Sequence, residues 1–433
     1  MINLDGADRK AIVAWLSRGR AVSARVRDAA KTSKYRLVDP DESAAGDRFD
    51  IAVVDLRGVE TDRTLANELL TRARRLAPTA GAVILASSEI DENTRAFLRR
   101  RGDVCFVGED AAPVMAAIRE RLRLSALVDE MGERVKSLVA DGRPVSFARL
   151  HQEKQALRVL VAGAPSPLTL TAFNAVRAGA AQATCVFTAG QVMRALDHGE
   201  FDSAIFLPKS EGDLLFALAR ALRRHREYRS VPVLLACEDA DILDRFLVRD
   251  GFDVIQAGHI EADLSRRIDL AARRARMAAA VRAFLRAPEG VGGGRGYAAS
   301  ARFFAFHATR IFQRADDANE AVSFAALQIR PQTADSVILE AAKTASRILR
   351  AEDMIARLAP GSLVVLLRGV KESEARRIAE RLEGVIGGSL PRAAIAGAEI
   401  AVGAVQRHPG DDLEETIAAL FRNLRSSSYS AAG

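Results

Sequence analysis

Aromatic side chains are scarce and uneven in this chain: one Trp and four Tyr stand beside eighteen Phe. Single-stranded nucleic acid is held by exposed aromatics interleaved with basic residues. At 5% aromatic content, with no such interleaving, that class of binder is set aside. Cysteine is scarcer still. Cys105, Cys185 and Cys237 sit in apolar contexts without metal-ligand spacing, which points to reduced thiols in a cytoplasmic protein rather than a disulfide scaffold or a zinc site. No hydrophobic run approaches the ~20 residues needed to span a bilayer, and the stretch SLVVLL (362–367) is only strand-sized. The opening MINLDGADRK shows neither an apolar core nor a cleavage pattern, so no secretory signal is read. A clustered run of one charge is missing too. The net charge of +7 is spread along amphipathic segments; it permits a nucleotide or polyanion partner without demanding one. With no helix-turn-helix pattern either, no direct nucleic-acid partner is expected.

What is present is a repeat. A chain of 433 residues exceeds one ordinary core and predicts two to four domains. The series AIVAWLS (11–17), FDIAVVDLRG (49–58), GAVILASSEID (81–91) and RAFLRRRGDVCFVGED (95–110) recurs about 150 residues later. There it reads RVLVAGAPS (158–166), FDSAIFLPKS (201–210), VPVLLACEDAD (231–241) and DRFLVRDGFDVIQAG (244–258). Short apolar runs alternating with amphipathic helical stretches predict parallel strands buried on both faces, about five βα units per half. The fold class expected is α/β: two flavodoxin-like, doubly wound, five-stranded parallel sheets followed by an α+β domain. The boundaries read as a first domain over 1–125, a helical connector over 126–156 and a second domain over 157–285. A Gly-rich linker over 286–300 then leads to the third domain over 301–433. That last segment mixes helices with the strands VSFAALQI and AEIAVGAV and a hairpin, DMIARLA-turn-SLVVLLRG.

Segments 10–125 and 157–280 resemble receiver domains of two-component signalling, mostly in topology. A working receiver needs acidic residues after its first strand for Mg²⁺ and an aspartate ending the third to accept phosphate. It also needs a hydroxyl after the fourth strand and a lysine after the fifth. Asp55 stands at the acceptor position of the first domain, with Ser87 as a hydroxyl. The first strand, however, runs into Trp15-Leu16-Ser17, and the lysine region reads Val107-Gly108-Glu109. Asp55 is therefore read as a vestigial phospho-acceptor. In the second domain Leu207 replaces the aspartate, Ala162-Gly163-Ala164 the acid cluster and Ala257-Gly258 the lysine. Both domains are expected to serve as docking or homodimerising scaffolds.

The third segment resembles a GGDEF domain over most of 297–430, the fold of diguanylate cyclases. That chemistry requires one metal-binding carboxylate ending the first strand and another in the hairpin. Gln328-Ile329-Arg330 and Ala359-Pro360-Gly361-Ser362-Leu363 occupy those places, with Ser362 where the essential acid would be. No catalytic residue, no metal and no cofactor are therefore expected, and the chain is read as not an enzyme. Pro360-Gly361 keeps the hairpin foldable, because Pro presets φ and Gly accepts φ > 0. The family's Arg-x-x-Asp product-binding motif is intact at Arg350 and Asp353, with Arg357 next in register. In the following helix, Arg377-Ile-Ala-Glu-Arg381 reproduces a second family pattern. The resemblance implies cyclic di-GMP as ligand of Arg350, Asp353, Arg381, Arg357 and Arg377. An Arg-x-x-Asp alone is a trivial motif, usually a surface ion pair, and for Arg381 a solvated helix face is nearly as good a reading. Phe303, Phe304, Phe306 and Phe312 read as core, and His307 as a satisfied histidine. The ensemble resembles the PopA-type, inactive members of the PleD-like group of response regulators. That implies a cytoplasmic effector concentrated at a cell pole, working in the cell cycle as an adaptor that delivers regulators to ClpXP proteolysis. The alternatives are a phosphorylation-driven regulator signalling through Asp55 and a nucleotide-independent scaffold.

Overall fold

The computed structural model describes residues 11–19, 21–33, 35–42, 49–78, 82–87, 90–99, 101, 103–106, 112–145, 156–179, 181–210, 212–225, 228, 230–239, 253–288, 290–292, 297–318, 320–330, 334–390 and 399–426. The chain forms two compact units, one made of Ala11–Ser125 and Gln152–Ala280, the other of Ala126–His151 and Val281–Gly433. The boundary read at 125/126 falls inside a continuous helix, Ala112–Ala140.

The first unit holds two parallel sheets. The first sheet comprises β1 (Ala11–Ser17), β2 (Tyr35–Val38), β3 (Ile51–Asp55), β4 (Ala82–Ala86) and β5 (Asp103–Phe106), in the order β2-β1-β3-β4-β5. Its central strands are covered on both faces and so are apolar along their length, apart from Ser17 and Asp55 at their carboxyl ends. Val13, Trp15, Val53 and Leu85 face helix α1 (Ala24–Thr32) and Val114 and Ile118. Ala14, Leu16, Val54 and Ile84 face α2 (Arg63–Leu76). Side-chain caps start both helices: the Ser23 hydroxyl accepts from Val26 N–H, and the Asp62 carboxylate from Thr64 and Leu65 N–H. Further on lie α3 (Glu92–Arg99) and α4 (Ala112–Ala140).

The second sheet repeats the plan with β6 (Arg158–Gly163), β7 (Gln182–Val186), β8 (Ser203–Leu207), β9 (Val233–Cys237) and β10 (Asp253–Gln256), ordered β7-β6-β8-β9-β10. Helices α6 (Ala189–His198) and α7 (Leu214–Arg224) cover one face, through residues such as Val192 and Phe216. On the other face lie α5 (Pro167–Ala178) and the first turns of α8 (Ile260–Arg286). The strand order 2-1-3-4-5 in each sheet is that of doubly wound flavodoxin-type folds, and it leaves a crevice at the carboxyl ends of the first and third strands.

The second unit is built on an antiparallel sheet of β11 (Val322–Arg330), β12 (Met354–Ala356), β13 (Ser362–Arg368), β14 (Glu399–Arg407) and β15 (Arg425–Ser426), ordered β12-β13-β11-β14-β15. Alternation along β11 sorts its side chains. Ala325, Leu327 and Ile329 join the core under α10 (Asp335–Ile348) and α11 (Glu372–Ser389). Phe324 points the other way, edge-on to Phe304 and Phe312 of α9 (Ala301–Ala318) at 6.1 and 5.8 Å between ring centroids. The last helix, α12 (Leu413–Arg422), is capped by Asp412, whose carboxylate accepts from Glu415 N–H. Phe303, Phe304 and Phe312 are core, but Phe306 is a correction: it is 40% exposed, because α9 turns that position away from the sheet.

Residues 126–140 of α4 run antiparallel along α9. Arg314 reaches Asp129 and Glu133, Arg310 reaches Glu133, and Ser137 meets His307, while Arg302 pairs with Asp141 just beyond the helix end.

Candidate nucleotide site

The Arg-x-x-Asp segment is the loop from the end of α10 to β12. Leu349 and Ala351 are buried and peg the loop to the core, whereas Arg350, Glu352 and Asp353 are only half-buried. The Asp353 carboxylate accepts the backbone N–H of Arg350 at 2.9 Å, closing a turn across the motif. Loss of hydration in this enclosed turn, and then the charge of Glu352, push the Asp353 carboxyl up to about 7, against the pull of Arg350. A carboxylate accepting one backbone N–H retains lone pairs for a ligand.

The other arginines are distributed differently. Arg357, beyond β12, pairs with Asp335 in the first turn of α10. Arg377 and Arg381 lie on the exposed side of α11, opposite the buried Ala375, Ala379, Leu382 and Ile386, and Arg377 stands 3.8 Å from Glu374. Among the described residues the Asp353 carboxylate is brought together with Arg350 and with none of these three.

Gln328 and Ser362, expected from the resemblance to stand where metal-binding acids would be, are both engaged within the fold. Ser362 is fully buried opposite Gln328 in the β11–β13 ladder. Its hydroxyl donates to Ala359 C=O at 2.9 Å and accepts Ala359 N–H at 3.1 Å, so it is consumed by the turn. Gly361 has φ 71°, the left-handed value that only glycine adopts freely, and its carbonyl accepts Ile329 N–H at 2.9 Å. Gln328 is held by Arg330 at 2.8 Å. Among the described residues no group of three His, Cys, Asp or Glu side chains is placed to hold a metal ion.

One cluster was hidden in the sequence. Glu130 and Arg134 of α4 and His307 of α9 are essentially without solvent exposure. The Arg134 Nε–H donates to Glu130 at 2.8 Å, the other Glu130 oxygen lies 3.4 Å from Arg368, and His307 Nε2 stands 3.0 Å from Glu130. Burial raises the Glu130 carboxyl, but His307, Arg134 and Arg368 overcome it and hold the group below the usual carboxylate range. Burial lowers the His307 imidazole from its usual value, with Glu130 pulling the other way. Arg134 goes further: one terminal nitrogen donates to Leu285 C=O at 2.8 Å, and the other reaches Glu352 and Asp353 C=O at 3.4 Å each. The only sequence signal was the apolar residues around 130–138, which by themselves suggest an ordinary amphipathic helix.

In the first unit, Asp55 ends β3 beside Ser17 of β1 and is 2% exposed. Arg57 grips it through Nε at 2.8 Å and a terminal nitrogen at 2.6 Å, a bidentate pair supplemented by the Arg57 backbone N–H at 3.2 Å. Ser87 N–H donates to Glu60 at 2.8 Å. The lysine region 107–109 lies outside the described residues. In the second sheet Leu207 is buried against Gly163, where a Cβ would sit 3.0 Å from Leu207 Cβ.

No protein-family model matches this chain, and no curated protein matches it. Solved structures similar to part of it are GGDEF diguanylate cyclase domains. A DGC protein from Thermotoga maritima shares 19% identity over 30% of this chain and 96% of its own, with a TM-score of 0.25. The GGDEF domain of DgcB from Caulobacter crescentus, in complex with c-di-GMP, shares 20% identity over 30% of this chain and 86% of its own, at 0.27. The diguanylate cyclase SiaD from Pseudomonas aeruginosa, in complex with its activator SiaC, shares 18% identity over 54% and 90%, at 0.27. Among the described residues no helix is long and apolar enough to cross a membrane.

Proposed function

We propose that this chain is a catalytically inactive, GGDEF-like receptor for cyclic di-GMP that acts by presenting protein-binding surfaces. The observation that carries this reading is the turn in which Asp353 accepts the Arg350 N–H. It ties an arginine, whose guanidinium is fork-shaped, and a carboxylate into one turn, the two kinds of group that can read two edges of one guanine. The Arg350 guanidinium can donate to O6 and N7 or stack on the base, and Asp353 can accept N1–H and N2–H. Arg357, Arg377 and Arg381 are then auxiliary contacts, recruited by side-chain rearrangement when ligand is bound. Cyclase chemistry has no footing, because Gln328 and the buried Ser362 supply no metal acid.

The two doubly wound sheets of the first unit serve in this reading as degenerate receivers, scaffolds for docking or homodimerisation. Phosphorylation at Asp55 is the rival mode, and Arg57 already occupies both oxygens of that carboxylate. Within the PopA-type resemblance, the partners are those of a proteolytic adaptor pathway ending at ClpXP, with the protein gathered at a cell pole. Isothermal calorimetry of cyclic di-GMP into the full chain tests the reading. Binding to wild type that is lost in Arg350→Ala and Asp353→Ala is expected, with no GTP turnover in Mg²⁺ or Mn²⁺. A wild type that does not bind, or binds no better than the variants, refutes it.

A further inference from the structure

The buried guanidinium of Arg134 connects two things that the sequence keeps more than two hundred residues apart. Its Nε–H is committed to Glu130 at 2.8 Å and one terminal nitrogen to Leu285 C=O at 2.8 Å, with Gly290 C=O at 3.4 Å. These contacts fix the plane of the group. The remaining nitrogen then faces the carbonyls of Glu352 and Asp353, each at 3.4 Å. Both contacts are long, so each is weak by itself. Their importance is positional: Arg134 is 1% exposed, and among the described residues these two carbonyls are the acceptors facing that nitrogen. Those carbonyls flank the Asp353 side chain, so the orientation of its carboxylate follows from where Arg134 holds its backbone.

We propose that Arg134 is a positioning residue for the nucleotide loop. Through it, the seating of residues 126–140 against α9 and the readiness of Asp353 to take guanine form one coupled equilibrium. This inference rests on the cyclic di-GMP reading of Arg350 and Asp353. A free-energy coupling is reciprocal: if a seated helix favours the ligand, the ligand must favour the seated helix by the same factor. A lysine at 134 keeps the charge facing Glu130 but lacks the planar fork that reaches both carbonyls. An arginine of purely structural role would alter stability alone; a positioning arginine also alters what the ligand does to the helix.

The test uses the full chain, cyclic di-GMP calorimetry and amide hydrogen exchange, with wild type, Arg134→Lys and Arg350→Ala. In wild type, ligand is expected to slow exchange of the amides of 128–138 as well as those of 350–354. Arg134→Lys is expected to lose affinity by about tenfold, the scale for residues acting through a neighbour, and to lose the protection of 128–138. Wild type that binds without protecting 128–138 overturns the coupling and leaves the nucleotide site standing. So does Arg134→Lys that binds and protects as wild type does. Wild type that does not bind removes both. Should the lysine variant fail to fold, the wild-type exchange measurement still decides the matter.

Discussion

Asp55 and Asp353 each adjoin a buried apolar strand, Asp55 at the end of β3 and Asp353 just before β12, and each has an arginine two or three residues away in sequence. Their fates are opposite. Asp55 sits at the end of a parallel strand, from which the chain turns so that Arg57 folds back and closes on both oxygens. Asp353 lies in a turn whose geometry lets Arg350 offer its backbone N–H to the carboxylate. The first carboxylate is neutralised internally and has little interaction energy left for a phosphate or a metal. The second accepts one backbone N–H, and lost hydration raises it to about 7. A pairing completed within the fold ends a site; the pairing left incomplete is where the proposed ligand would act.

The largest expected effect probes the support behind the open site. Glu130→Ala would strand the Arg134 and Arg368 charges in the core, so a loss of about 3–5 kcal/mol in the unfolding of the C-terminal unit is expected. Urea denaturation followed by exchange of β11 and β14 amides measures it, and a loss below 1 kcal/mol would show that the cluster is not energetically coupled. Next comes Arg57→Ala, which leaves Asp55 buried and unpaired and is expected to destabilise the first unit by roughly 2–3 kcal/mol. The double change Asp55→Leu/Arg57→Met, which copies the apolar solution at Leu207, should recover most of that loss in the same denaturation assay.

Asp353→Asn addresses the other side of the comparison. The folded-state carboxyl, raised to about 7, lies above its unfolded value of 3.8, so it contributes stability that is full below about pH 4 and is lost as pH rises through 7. Asparagine keeps an oxygen for the Arg350 N–H without the charge. The variant should therefore be more stable than wild type at pH 8, by up to about 2 kcal/mol once partial exposure is discounted, and show no gain near pH 4. Thermal melts at the two pH values read this, and equal differences at both would contradict the raised carboxyl. Cyclic di-GMP affinity of wild type should rise from pH 6 to 8 as Asp353 ionises, while the asparagine variant stays weak throughout. Ser362→Ala should have the smallest effect, about 1 kcal/mol from two turn hydrogen bonds, with GTP turnover absent before and after.

Much of the fold was legible because strand burial leaves a direct trace in sequence. Runs such as IAVV (51–54) and AIFL (204–207) are apolar throughout, as strands covered on both faces must be. The Ala359–Ser362 turn could be read from Pro360-Gly361, and Gly361 takes the positive φ that this dipeptide prepares. Phe306 was misjudged because a run of phenylalanines says nothing of which one a helix turns outward. The motif residues of the candidate site were visible as well. Their supports were not, since Arg134, Glu130 and His307 look like the solvated charges of any amphipathic helix.

By itself, then, the sequence determined the two doubly wound sheets, the antiparallel third sheet, the uncharged side chains of Gln328 and Ser362 and the spacing of Arg350 and Asp353. These depend on local periodicity and residue identity, which are one-dimensional properties. Only the tertiary structure decided that Arg57 closes on Asp55, that Arg357 turns to Asp335, and that Arg134 is buried beneath the Asp353 backbone. A charged side chain can choose among many partners within reach, and the choice is made by packing between segments distant in the chain. Burial of an arginine 1% exposed follows from three elements meeting around it, which no single stretch of sequence encodes.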